Sequence, residues 1–143
     1  MIKYFLALTL LLFALKAYSQ PFIRFDTTNV NVGDICDGPE FEVYWTFTNI
    51  SDTTVVIDHA NSTGPMLASE WPTEPIKPGG TGKIHGTLLT TGWMGRSFYR
   101  TILVQLTNGS RNTISVKGDV HYCEPGINFP KKDELVYPSR VGE

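Results

Sequence analysis

Residues 41–49 read Phe-Glu-Val-Tyr-Trp-Thr-Phe-Thr-Asn, and no other stretch limits the fold as much. Side chains of a strand alternate between its two faces. Phe41, Val43, Trp45 and Phe47 therefore share one face, and Glu42, Tyr44, Thr46 and Thr48 share the other. One wholly apolar face opposite a mostly polar one is the pattern of antiparallel sheet that is half buried and half solvated. No window of helical length carries the i, i+3, i+4 apolar stripe of a packed helix.

The same reading extends along the chain. Residues 22–33 form a first candidate strand, interrupted near Asp26, with Phe22 and Arg24 facing away from Ile23 and Phe25. Cys-Asp-Gly-Pro at 36–39 turns the chain. Beyond the 41–49 strand, a turn at 50–52 leads into a strand over Thr53–Asp58, and a long connection then runs from His59 to Pro78. Residues 81–89 are the next strand, with Ile84 and Leu88 on one face. A glycine-punctuated turn at 91–96 precedes a strand at 97–107. There Phe98, Ile102, Val104 and Leu106 align, and Arg100 is the exception on their face. Asn108-Gly109-Ser110 signals a hairpin, and a strand at 112–122 with Ile114, Val116 and Val120 aligned closes the sheet. About seven short strands at regular spacing predict an all-β domain, an immunoglobulin-like antiparallel β-sandwich. Such a domain is large enough to bury a core between its sheets.

The ends of the chain read differently. Lys3, the apolar run Tyr4–Leu15 and the small residues Ala17 and Ser19 predict a secretory signal peptide over 1–19, cut after Ser19. The apolar run is too short to span a membrane comfortably, and no cysteine stands near the cut to take a lipid. No second long apolar run follows, so no membrane span is expected after cleavage. The protein is expected to be exported, either periplasmic or secreted. The sandwich is expected over 20–123, and 124–143, with three prolines and scattered charge, as an irregular tail. Removing Lys3 and Lys16 leaves 10 basic against 14 acidic residues, a net charge of −4, which is not a surface for nucleic acid.

Several stretches in this order carry a family resemblance: 22–35 with Phe-Ile-Arg-Phe-Asp-Thr-Thr and Val-Asn-Val-Gly-Asp-Ile, 41–57, Glu70-Trp71-Pro72 through Ile84, 92–108, and 114–120. Together they resemble domain of unknown function 1573, a family of secreted immunoglobulin-like domains of Bacteroidetes-type bacteria. That family is related in shape to the major-sperm-protein and cilium-associated immunoglobulin-like modules. The resemblance covers about Phe22 to Val120, and its most specific pieces are the Trp-Pro…Pro-Ile-x-Pro-Gly-x-x-Gly-x-Ile run and the closing Gly-x-Val. It implies fold and export, and no activity. The family's usual Cys-Gly-Cys tripeptide is replaced here by Gly64, Pro65 and Met66, so no thiol or metal role of that loop carries over.

Each candidate for chemistry has a plainer reading. Pro75 to Ile84, with Gly79, Gly80, Gly82 and Lys83, nearly spells a phosphate loop. The first glycine of that motif would fall on Lys77 and its hydroxyl residue on Ile84, and the segment opens a strand rather than a helix. Pro78-Gly79 instead suits the centre of a type II turn. Cys36 follows the first strand and Cys123 follows the last. In such sandwiches the second half of the first strand often pairs in parallel with the last, which would bring the two cysteines within disulfide reach. The alternative is a zinc or copper site from His121, Cys123 and Cys36, for which no compact ligand spacing exists. His59 and His85 read as surface residues, no Gly-x-Ser-x-Gly elbow occurs, and the sequons at Asn49, Asn61 and Asn108 read as turn residues in a bacterial protein. Nothing calls for a cofactor.

The most functional-looking surface is the long connection, where Met66, Leu67 and Trp71 are apolar residues in a polar segment. They are the candidate partner surface, against the plainer reading that Trp71 and Ile76 plug the end of the sandwich. The expected function is a non-catalytic module that binds an unknown protein partner in the cell envelope or serves a structural role there. The alternatives are a periplasmic carrier or chaperone that pairs an edge strand with a client, and a redox or metal protein.

Overall fold

The computed structural model describes residues 20–124, so residues 1–19, expected as a signal peptide, and all but the first residue of the tail expected over 124–143 lie outside the described residues. Two four-stranded sheets enclose one core. The first contains β1 (Ile23–Phe25), β3 (Glu40–Asn49), β5 (Leu67–Glu70) and β6 (Thr81–Leu89), in the order β1-β3-β6-β5. The second contains β2 (Asn29–Cys36), β4 (Ile57–Ser62), β7 (Arg96–Leu106) and β8 (Arg111–His121), in the order β2-β8-β7-β4. Every pairing is antiparallel except that of β2 with β8. Among the described residues no helix is long and apolar enough to cross a membrane.

The alternation of residues 41–49 places Val43, Trp45 and Phe47 in the core, with Phe41 partly buried against it. Ile84 and Leu88 lie on the same side of the neighbouring strand β6. From the other sheet come Ile102, Val104, Leu106, Ile114, Val116 and Val120. Room for the two largest rings is made by absent side chains on β6. A Cβ on Gly86 would stand 2.8 Å from Trp45 Cζ3, and one on Gly82 would stand 2.5 Å from Phe47 Cζ.

The first candidate strand is two strands in different sheets. It breaks after Asp26, so that β1 pairs with β3 while β2 crosses over to run beside β8. The middle of the chain departs from expectation. The strand expected at 53–58 begins only at Ile57 and continues to Ser62, and Val55 contributes a single bridge to Ile76. An irregularity between Ile57 and His59 places buried residues three apart, at Ile57 and Ala60, which removes the period-two signal. A further strand, β5, lies inside the expected connection. It is four residues long, too short to show alternation. Among the described residues the sandwich therefore has eight strands rather than about seven.

The Pro75–Ile84 stretch is a turn and a strand entry. Gly80 N–H donates to Lys77 O at 2.8 Å across Pro78-Gly79, and Gly79 has φ +78°, the geometry of a type II turn. Two more 2.8 Å bonds, Gly79 N–H to Asn49 O and Asn49 N–H to Gly80 O, lash that turn to the end of β3. Asn49 is 1% exposed, and its side-chain amide donates to Thr53 O at 2.8 Å and Ile76 O at 2.9 Å. Its Oδ1 accepts from Ser51 N–H at 3.0 Å. The first sequon is thus a structural clamp, whereas Asn61 and Asn108 are exposed. Asn49→Ala would remove the bonds that tie the end of β3 to Thr53 and Ile76, leaving Ile76 O with the Val55 N–H and Thr53 O with the Ser51 hydroxyl, and is expected to cost about 2–3 kcal/mol in urea unfolding. A loss below about 0.5 kcal/mol would show that backbone bonds alone hold the turn.

Candidate functional site at the disulfide-bonded pole

The parallel pairing of β2 with β8 sets Cys36 opposite His121, and the chain needs only two more residues to reach Cys123. Cys36 and Cys123 are joined by a disulfide with their Cα atoms 5.5 Å apart. The neighbouring turns are tied to this bond. Asp37 N–H donates to His121 O at 2.9 Å, and the His121 ring lies 3.0 Å from Asp34 Oδ1. Thr90, 1% exposed, sets its hydroxyl 3.0 Å from Cys36 O and 2.8 Å from Pro39 O, donating to one at a time, and accepts from Gly38 N–H at 3.1 Å.

Between Thr90 and Arg96 the chain makes two successive tight turns. Trp93 N–H reaches Thr90 O at 3.0 Å and Arg96 N–H reaches Trp93 O at 3.1 Å, and the third residue of each turn is a glycine with positive φ, Gly92 at +81° and Gly95 at +72°. The effect is to fold the Trp93 ring back over the mouth of the sandwich, where its backbone N–H also donates to Asp37 Oδ1 at 2.9 Å. Two guanidinium groups lie over that ring. Arg100 Cζ is 4.9 Å and Arg96 Cζ 5.8 Å from its centroid, within cation–π range. Arg100 belongs to the inward row of β7, between Phe98 and Ile102, and is half-buried where they are buried. The aromatic face and the Tyr99 carbonyl, which accepts from Nη1 at 2.9 Å, make a cation tolerable at that position. Arg100 Nε is buried and has no hydrogen-bond partner among the described residues. Met94 and Tyr122, 54% and 68% exposed, rim the same pole.

The sequence-predicted residues fall in three places. Cys36 and Cys123 anchor this pole, and their thiols are spent in the bond, so His121, Cys36 and Cys123 are not three available ligands. Met66 and Leu67 are not a surface. They are 1% and 2% exposed, because the pairing of β5 with β6 turns them into the core beside Leu88. Trp71, just past β5, is half buried against the core. His59 lies 3.0 Å from Asp58, and His85 stacks on Tyr44 on the outer face of the first sheet, 3.4 Å from Glu70. Gly64 and its neighbours, which replace the Cys-Gly-Cys tripeptide, lie at this pole: a Cβ on Gly64 would stand 3.6 Å from Arg100 Nε. The aromatic–arginine cluster was absent from the expected sites. Its available signal was Arg100 itself, the charged residue in an apolar row.

No curated protein sequence matches the chain. Among solved structures it is similar to a protein of unknown function from Porphyromonas gingivalis W83, with 19% identity and TM-score 0.58, over 74% of this chain and 50% of that one. This chain thus spans half the length of that relative. It is also similar to the ASH/PapD-like domain 7 of human CEP192, with 13% identity and TM-score 0.59, over 76% of this chain and 94% of that one. A third likeness is to the CupB2 chaperone of Pseudomonas aeruginosa, with 14% identity and TM-score 0.51, over 68% of this chain and 55% of that one. At such identities the likeness establishes the immunoglobulin-like, PapD-like sandwich fold. The model of the family described as protein of unknown function (DUF1573) matches residues 23–120, from the first strand of the sandwich into the last, and the chain belongs to that family.

Proposed function

We propose that this chain is an exported, non-catalytic immunoglobulin-like module that binds another protein in the cell envelope, and that its contact surface is the disulfide-bonded pole. The observation that carries this reading is the gathering of Trp93, Met94, Arg96, Arg100 and Tyr122 at one end of a rigid sandwich. Trp, Tyr, Met and Arg are the residues enriched in the cores of protein interfaces and among their energetic hot spots. The disulfide fits an oxidising compartment.

A carrier that pairs an edge strand with a client is the second reading, favoured by the unpaired outer edge of β2. That edge is interrupted between Asn31 and Gly33, where the register shifts and Asn31 Oδ1 accepts the Gly33 N–H at 3.0 Å. Such bulges blunt an edge against strand addition, so the pole ranks first.

A photo-reactive residue placed singly at Met94, at Asn31 on β2, or at Lys77 on the opposite pole separates the two in the cells that make the protein. A discrete adduct from Met94 alone is expected. Adducts from Asn31 alone would move the reading to strand pairing, and labelling no different from Lys77 would overturn both.

A further inference from the structure

Arg96 and Arg100 are poorly served by their own chain. Of the acids at this pole, Asp34 is turned to the His121 ring, Asp37 to the Trp93 N–H and Asp119 to the Ser97 hydroxyl, while Glu40 and Glu124 are exposed. Among the described residues no carboxylate pairs with either guanidinium. Arg100 Nε is buried without an acceptor, a cost that native structures rarely leave uncompensated. Both cations are nonetheless held in place, stacked on one ring that restricts their rotamers before anything binds. Pre-ordered guanidinium groups without an anion, one half-buried and one exposed, match the planar, two-oxygen geometry of a carboxylate.

We infer that the Trp93–Arg96–Arg100 cluster is a receptor for side-chain carboxylates, and that the partner presents an acidic segment to this pole. This rests on the reading of the pole as the contact surface, and specifies the chemistry of what docks there. The carboxylate accepts from the free N–H groups of both guanidiniums, while exposed Met94 and Tyr122 contact the flanking residues of the segment. The domain as a whole is acidic and Asp34, Asp37 and Asp119 share this pole, so the two guanidiniums alone supply the attraction and fix where on the pole a carboxylate sits.

Isothermal titration of the signal-free chain with hexaglutamate, acetylated and amidated at its ends, tests this at low ionic strength. Saturable binding that weakens with added salt is expected, with none by capped hexaglutamine. Arg96→Gln is expected to weaken it about tenfold, the scale of one charge-assisted contact, and Arg96→Lys to restore part of that loss. Arg96 is exposed, so these variants fold even if Arg100→Gln does not. Equal binding by wild type and Arg96→Gln, or no binding by hexaglutamate, would overturn the inference. Hexaglutamine with a free C-terminal carboxylate binding as tightly as hexaglutamate would assign the site to chain ends instead. If hexaglutamate fails while Met94 still cross-links in cells, the carboxylate receptor falls and the binding module stands. If Met94 does not cross-link, the module reading falls whatever the peptide does.

Discussion

Replacing Cys36 and Cys123 together by serine is expected to lower the unfolding free energy by on the order of 4 kcal/mol, the chain-entropy value for so long a closed loop. The two residues are 87 apart in sequence, so the bond constrains nearly the whole unfolded domain. That loss is comparable to the total stability of many single domains. The double variant should therefore be partly unfolded at physiological temperature, and the wild type should behave the same way under reductant. Urea unfolding with and without dithiothreitol measures it. A difference under about 1 kcal/mol would mean that the native state is strained by the bond, or that the reduced unfolded chain stays compact. Either result also bears on export, because a domain that needs this bond cannot be sustained in a reducing compartment.

Trp45→Ala is the second large effect, expected at about 3–5 kcal/mol from lost burial plus the cavity left behind. Trp45 is 1% exposed, and its ring fills the space vacated by Gly86 across the β3–β6 pair. The backbones of both strands are fixed by their register, so the site cannot collapse around alanine. Trp45→Phe separates packing from polarity. The Trp45 Nε1 is buried and has no hydrogen-bond partner among the described residues, so phenylalanine removes an unsatisfied donor while it loses volume. A cost of about 1–2 kcal/mol is expected for that variant. Equal costs for Phe and Ala, measured by urea unfolding with circular dichroism, would show that the indole N–H is bonded after all, for instance to a buried water.

What could be read from the sequence divides along a physical line. Residues 41–49 disclosed their strand and its buried face because alternation is local, and Pro78-Gly79 disclosed its turn because φ preferences are local too. The middle of the chain was harder. Ile57 and Ala60 are both buried, but the irregular register hides their spacing, and Leu67–Glu70 becomes a strand only because β6 offers it an edge. For the same reason Met66 and Leu67 looked like a surface: their burial is decided by strand pairing, which lies outside any short window. The pole shows both sides. Arg100 was visible as an anomaly in its row, but Trp93, which makes that anomaly tolerable, folds over it through two glycine turns. A charged residue in an apolar row marks a position that needs a special partner, and tertiary structure is needed to see which one covers it.

The crossing of the first strand from one sheet to the other also has a mechanical meaning. Gln20 and Cys123 emerge at opposite ends of the sandwich, and the bond to Cys36 short-circuits the path between them. A pull along the chain passes from Cys123 straight into Cys36 and back through β2 and β1. Everything from Asp37 to Tyr122 sits in a covalent loop that carries no load. Stretched, the domain can yield only by peeling off residues 20–36, at most roughly 60 Å of contour, while β3 to β8 keep their pairing. A protein built this way behaves under tension as a short extensible tether fastened to an inelastic bead, and Trp93 with its two arginines stays on the bead.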